Sequence, residues 1–178
     1  MGDTLITIFA IFLAAILMFV FPLMSVSERG DDISQLAVQK ITTEFVDGVR
    51  ATGKITLAEY DKLQQSINAT GNTYEIDMEL KILDENPGKK TTQTDYTKIG
   101  ENVYYTKYTT QIMDDMIKNE NSGGITLKEG DIISVDVKNT NKTIAQTLRN
   151  FMYVVSGNDT YQIGASHGGV VTVNGSNR

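Results

Sequence analysis

The residues most suggestive of catalysis are Gly164-Ala165-Ser166-His167-Gly168, a complete glycine-x-serine-x-glycine pattern. In a nucleophile elbow this pattern lifts the serine on a sharp strand-to-helix turn, and an acid and then a histidine come later in the chain. Here Val170-Val171-Thr172-Val173 stand where a helical segment is needed, and His167 is the single histidine. The relay cannot be completed downstream, so the pattern is expected to be a coincidence inside a glycine-rich strand. His167 is expected to be a polar residue at a strand end rather than a ligand. The chain has no cysteine, which removes disulfides, thiol nucleophiles and thiolate metal sites together. No phosphate-cradling loop ending in Lys-Ser/Thr is present. The acidic pairs Asp31-Asp32, Asp84-Glu85 and Asp114-Asp115 lack the alternating oxygen ligands, central glycine and late glutamate of a calcium loop. Adjacent carboxylates point to different sides of a helix, so these pairs are expected on solvated faces. Tyr104, Tyr105 and Tyr108 offer aromatic faces to bases or sugars. However, the 178 residues carry a net charge of -6, which speaks against nucleic acid as a partner. The sequons at Asn68, Asn141, Asn158 and Asn174 mark exposed turns. No catalytic residue, metal or cofactor is assigned, and the chain is expected not to be an enzyme.

The elements that would have to position such residues begin with an apolar rod. From Leu5 to Met24 there are 20 residues, of which only Thr7 is polar and none is charged. At ~1.5 Å per residue a helix of that length spans roughly 30 Å, the thickness of a bilayer's hydrocarbon core. Residues 1–27 are therefore expected to form a transmembrane helix in contact with lipid. Pro22 lies near its far end, where it frees one carbonyl and bends the helix. A cleaved signal peptide is the competing reading, and Ser25-Val26-Ser27 offers small residues for cleavage. Against it, no Lys or Arg precedes the apolar run, which is longer than an h-region of roughly 7–15 residues. A helix buried in a soluble core is rarely apolar on every face. For orientation there is only Arg29, beside Glu28, Asp31 and Asp32. Counted strictly, the positive-inside rule then places the C-terminal domain in the cytoplasm.

Past Gly30, read as a joint, the pattern turns amphipathic. Ile33, Ala37, Ile41, Phe45 and Val49 recur every four residues, with Leu36, Val38 and Val46 beside them. This predicts a helix from about Asp31 to Arg50, N-capped by Asp31 or Asp32, that needs a cover for its stripe. Thr56-Leu57-Ala58-Glu59 is a capping box opening a helix that ends near Gly71. Tyr74 to Ile82 alternates without a break and predicts a half-buried strand. Asn86-Pro87-Gly88 is a turn beyond that strand, and Lys89 to Lys98 reads as a loop. A further helix is expected from about Glu101 to Lys118, with Tyr104, Tyr108, Ile112 and Met116 as its stripe. Ile132 to Lys138 is a second strand. Thr143 to Val155 reads as helical at first and then apolar and β-branched. Tyr161 to Val173 is a third strand, interrupted by a bulge or bend at Gly168-Gly169. The fold class is α+β. A long N-terminal helix, half transmembrane and half amphipathic (28–50), packs on a small antiparallel sheet of about three strands with additional helices. Residues 28–178 form the folded domain.

This layout resembles the pilin and pseudopilin group, and most nearly the TadE-like pseudopilins of tight-adherence pilus systems. The order of a turn, a β-rich strand, an apolar interruption and a last β-rich strand carries the likeness. It is met in Gly130-Asp131-Ile132-Ile133-Ser134-Val135-Asp136-Val137, in Ile144 to Val155, and in Tyr161-Gln162-Ile163-Gly164-Ala165-Ser166. The leader of that group ends in Gly, with Glu at the fifth mature position. Counted from Gly2, the fifth residue here is Thr7. The resemblance implies an extracytoplasmic C-terminal domain, which overrides the charge count. It also implies a single-pass subunit of a bacterial surface filament or of a secretion or pilus assembly system. Its partners would be membrane lipid, copies of itself, or other pilus and secretion components. Leu5, Ala10, Ala14, Ala15 and Pro22 mark the membrane and assembly helix, the alanines being small enough for close helix approach. The alternative is a monomeric membrane-anchored extracytoplasmic binding or sensor domain.

Overall fold

The structure, a computed structural model, describes residues 2–84, 104–147, 150 and 162–175. The apolar and amphipathic segments form one helical rod of 51 residues, Gly2–Thr52. It comprises α1 (Gly2–Ala15), a π-helical turn (Ile16–Val20) and α2 (Phe21–Thr52). Neither α1 nor the π turn buries a residue, and the first buried side chain of the rod is Asp31. Among the described residues this is the one helix long and apolar enough to cross a membrane.

The domain is α+β, as expected, with its strands in two antiparallel sheets. The larger sheet has four strands in the order β3 (Tyr104–Tyr108), β2 (Tyr74–Leu83), β5 (Ile132–Asn139), β6 (Gly164–Val170). A two-stranded ribbon pairs β1 (Lys54–Ile55) with β4 (Ile125–Thr126). On β2 the predicted alternation holds, with Ile76, Met78 and Leu80 buried and Glu75 and Asp77 exposed. Helices α2, α3 (Leu57–Asn68) and α4 (Thr109–Lys118) cover this apolar face. Val38, Val46, Leu63, Ile67, Ile112 and Met116 join Ile133, Val135 and Val137 in one core. The predicted capping box of α3 is formed: Glu59 N–H donates to Thr56 Oγ1 at 3.2 Å, and Thr56 N–H donates to Glu59 Oε2 at 3.0 Å.

Three expectations are corrected. Tyr104–Tyr108 is not the start of a helix but the fourth strand of the sheet. Its aromatic and β-branched residues suit a pleated surface, and it pairs with β2 from Glu79↔Tyr108 to Leu83↔Tyr104. Only Thr109–Lys118 is helical, starting where the Tyr108 N–H donates to Gln111 Oε1 at 3.1 Å. Gly168 and Gly169 form no bulge. They stay in register opposite Ser134 and Ile133, and a side chain at either position would meet close neighbours. A Cβ on Gly169 would meet Arg50 Nε at 2.6 Å, and one on Gly168 would meet the Ile133 carbonyl oxygen at 3.0 Å. Finally, the docked face of α2 matches only part of the stripe that the four-residue spacing predicts. Val38, Val46 and Val49 are buried, with Ile41 and Phe45 packed against them, but so are Asp31, Ser34 and Thr42. Ile33 and Leu36 are 69% and 67% exposed. The segments 85–103, 151–161 and 176–178 lie outside the described residues, and with them the Asn86-Pro87-Gly88 turn, the Lys89 to Lys98 loop and most of the Thr143 to Val155 segment.

Helix α2 holds two positions at which stability can be gained. The Thr42 hydroxyl is fully buried and, among the described residues, takes no hydrogen-bond partner. An orphaned buried hydroxyl costs ~1–3 kcal/mol. Thr42→Val, which keeps the β-branch, is therefore expected to raise the unfolding free energy by about 1 kcal/mol, read from chemical denaturation of the full chain in detergent. Gly48 is helical, exposed, and has nothing within 4 Å of where a Cβ would stand. Gly48→Ala is expected to add about 0.5–1 kcal/mol in the same measurement, because alanine loses less backbone entropy in a helix.

Candidate membrane and assembly helix

The apolar half of the rod presents its side chains outward on every side. Leu5, Phe9, Phe12, Met18 and Phe19 are 61–73% exposed, and Ala10, Ala14, Ala15 and Pro22 are exposed as well. In water such a surface costs about 25 cal/mol per Å² of apolar area, and its length and composition are compatible with a membrane anchor. Thr7, the one polar residue of the run, donates its hydroxyl to the Asp3 carbonyl oxygen at 2.7 Å and needs no outside partner. Pro22 has no N–H to donate, and its ring crowds the carbonyl four residues back, that of Met18. The widened π turn at Ile16–Val20 surrounds that carbonyl and takes up the crowding. The expected joint at Gly30 is absent: α2 runs through it without interruption. Asp31 and Asp32 cap nothing either, since the helix has already begun ten residues earlier at Phe21.

Asp31 has a different task. It is 5% exposed and accepts a hydrogen bond from the Thr143 hydroxyl at 2.8 Å, which corrects its expected place on a solvated face. Thr143 in turn caps the short helical turn 144–147. Its Oγ1 accepts from Gln146 N–H, and its own N–H donates to Gln146 Oε1, both at 3.1 Å. The side-chain amide of Gln35 grips the first residue of β6: it donates to the Gly164 carbonyl and accepts from the Gly164 N–H at 2.9 Å. At the other end, Arg50 Nε donates to the Val170 carbonyl at 2.9 Å. Strand β6 is a sheet edge, and α2 runs alongside it with a polar clasp at each end, which blunts the edge against foreign strands. Neither Gln35 nor Arg50 is singled out by the sequence. A polar residue amid an apolar stripe reads as solvated unless its partner 129 residues away is known.

The serine-centred pattern lies along β6. Ser166 is exposed and His167 is half-buried opposite Val135, in a straight strand without the turn an elbow needs. His167 is thus in mid-strand, not at an end. Its Nε2 lies 3.5 Å from Asp47 Oδ1, and Arg50 Nη1 donates to the same oxygen at 2.7 Å. The Arg50 guanidinium holds the Asp47 carboxyl below its ordinary 3.8, partial desolvation opposes this, and His167 adds to the lowering. A carboxyl lowered in the folded state stabilises the fold above its ordinary value and ceases to do so as pH falls through the folded one. The full chain is expected to exceed Asp47→Asn in thermal midpoint at about pH 6. That gap should close as pH drops below 3.8, followed by circular dichroism. On the outer sheet face Asp77 stands opposite Asp136. Asp136, at 2.6 Å from Lys138, raises that ammonium's pKa. Of the other acidic pairs, Asp115 meets Lys107 at 2.7 Å and Asp114 is exposed.

A groove of about 200 Å³ lies between α2 and α3, floored by Ile41, Phe45, Val49 and Leu63 and rimmed by Glu44, Glu59 and Lys62. Among the described residues no three potential metal ligands come together. No protein-family model, no curated protein and no solved structure matches the chain.

Proposed function

We propose that the chain is a pilin-like structural subunit, of the TadE-like kind, held in a bacterial membrane by α1 and the start of α2. Its domain would lie outside the cytoplasm, in a surface filament or a pilus or secretion assembly. The observation that carries the reading is a division of labour along one continuous helical rod. Residues 2–30 bury nothing, whereas the rest of α2 is welded to the sheet through Gln35, Val38, Val46 and Arg50. A rod built this way would link the domain to the membrane with no break in the helix. On assembly its apolar surface exchanges lipid for helix at little cost, because both are hydrocarbon.

The test is chemical cross-linking of the full chain in bacterial membranes, together with protease shaving of intact cells carrying a tag after Arg178. A ladder of homo-oligomers and loss of the tag, with a cytosolic control intact, supports the proposal. A lone monomer bound to an unlike protein would instead favour an anchored binding or sensor domain, with the α2–α3 groove as its surface. A tag that survives shaving removes the external placement.

A further inference from the structure

A π turn closes hydrogen bonds five residues apart instead of four, so it holds one residue more than an α turn. The single π turn at Ile16–Val20 therefore rotates α1 against α2 by one residue, ~100° about the axis. The exposed apolar stripe of α2 is Val26, Ile33 and Leu36, at 67–69% exposure, on the side turned away from the sheet. In an uninterrupted α-helix this stripe would continue upward as Ile8, Ile11 and Ala15. With the π turn it continues as Thr7, Ala10 and Ala14.

The composition of this rotated seam changes where the solvent changes. Inside hydrocarbon there is no hydrophobic drive between helices, and close backbone approach over small residues is what favours association. Above the π turn the seam there is Thr, Ala, Ala, and between the turn and Val26 it passes Pro22. In water, burial of large apolar groups drives association, and the seam there is Val, Ile, Leu. A matching occupant must be a helix that crosses the same boundary at the same depth and in the same direction. A second copy of this chain meets that condition by construction. Charge agrees. Arg29 sits in the middle of the seam and Asp32 at its flank, and neither has an ion-pair or hydrogen-bond partner within the described residues. In a parallel two-fold pair each guanidinium comes beside Asp32 of the second copy.

Resting on the membrane-anchored, self-assembling reading above, we propose that two copies dock in parallel along this one seam, aligned by the π turn that Pro22 imposes. The chain has no cysteine, so single substitutions report contacts cleanly. The experiment is oxidative cross-linking of the full chain in phosphatidylcholine–phosphatidylglycerol vesicles. Ala14→Cys and Ile33→Cys are expected to give about tenfold more covalent dimer than Ala15→Cys and Gln39→Cys, a difference of ~1.4 kcal/mol in association. In a Pro22→Ala background the preference should pass from Ala14→Cys to Ala15→Cys. Homo-oligomers in which Ala15→Cys cross-links as well as Ala14→Cys overturn the seam and leave self-assembly standing. A preference that stays at Ala14→Cys without Pro22 overturns the role of the proline-set turn. A monomer with no cross-link at any position overturns the seam and the assembly reading together.

Discussion

Replacing Gly53 by alanine is expected to cost about 3 kcal/mol and to lower the thermal midpoint by roughly 10 °C. Gly53 ends α2 in the left-handed region, at φ +64°, where its N–H returns to the Val49 carbonyl at 2.8 Å. Leaving that region is not open to it, since its own carbonyl accepts from Leu127 N–H at 2.8 Å. A Cβ there would stand 2.5 Å from both Gly175 N and the Val173 carbonyl oxygen. Both are backbone atoms, and Gly175 is itself tied to Leu127 by a 2.9 Å bond, so neither can swing aside as a long side chain would. The strain of the left-handed residue and the steric overlap therefore add. Differential scanning calorimetry of the full chain in detergent decides it. A midpoint within about 2 °C of the parent would show that this crossing of three segments yields to an added methyl.

Deleting residues 2–25 is expected to shift the chain almost completely from the membrane pellet to the soluble fraction, with its denaturation midpoint preserved and its helical circular dichroism reduced only by the deleted turns. Between Leu5 and Met24 there are thirteen Leu, Ile, Phe and Val residues. Each favours insertion by ~0.3–0.6 kcal/mol, together roughly 4–8 kcal/mol. None of the deleted residues is buried, so the core loses no contact. The measurement is ultracentrifugal fractionation beside the intact chain. An intact chain that stays in the supernatant without detergent would remove the membrane anchor. A shortened chain that unfolds would show that the rod's first half supports the core after all.

What is legible in the sequence is what local pattern alone decides. Thr56 and Glu59 cap their own helix within one turn, and Tyr74 to Ile82 declares a half-buried strand by alternation. The apolar rod is equally plain, as is the place of the serine-centred pattern within a strand. Tertiary pairing decides the rest. Tyr104 and Tyr108 sit at helical spacing with Ile112 and Met116, and only the hydrogen bonds offered by the edge of β2 turn the first two into strand. Ile33 resembles core because spacing gives the period of a helix and not the direction it faces. Gln35 and Asp31 resemble solvated residues because their partners, Gly164 and Thr143, lie more than a hundred positions away. Gly168 and Gly169 resemble a defect because the neighbours that crowd them, Ile133 and Ser134 of β5 and Arg50 of α2, belong to other elements. Of the predicted membrane helix, Ala10, Ala14, Ala15, Leu5 and Pro22 all fall on the exposed rod. The π turn is hinted at only by the proline.

The two clasps on β6 also bear on mechanics. Gln35 holds the strand's first residue and Arg50 its last, and helix and strand run in the same direction. Tension applied through the apolar end of the rod is thus shared in shear by both fastenings and by the packed valines between them. It does not peel them open one at a time, so the head should ride as a single piece with whatever tugs on its stem.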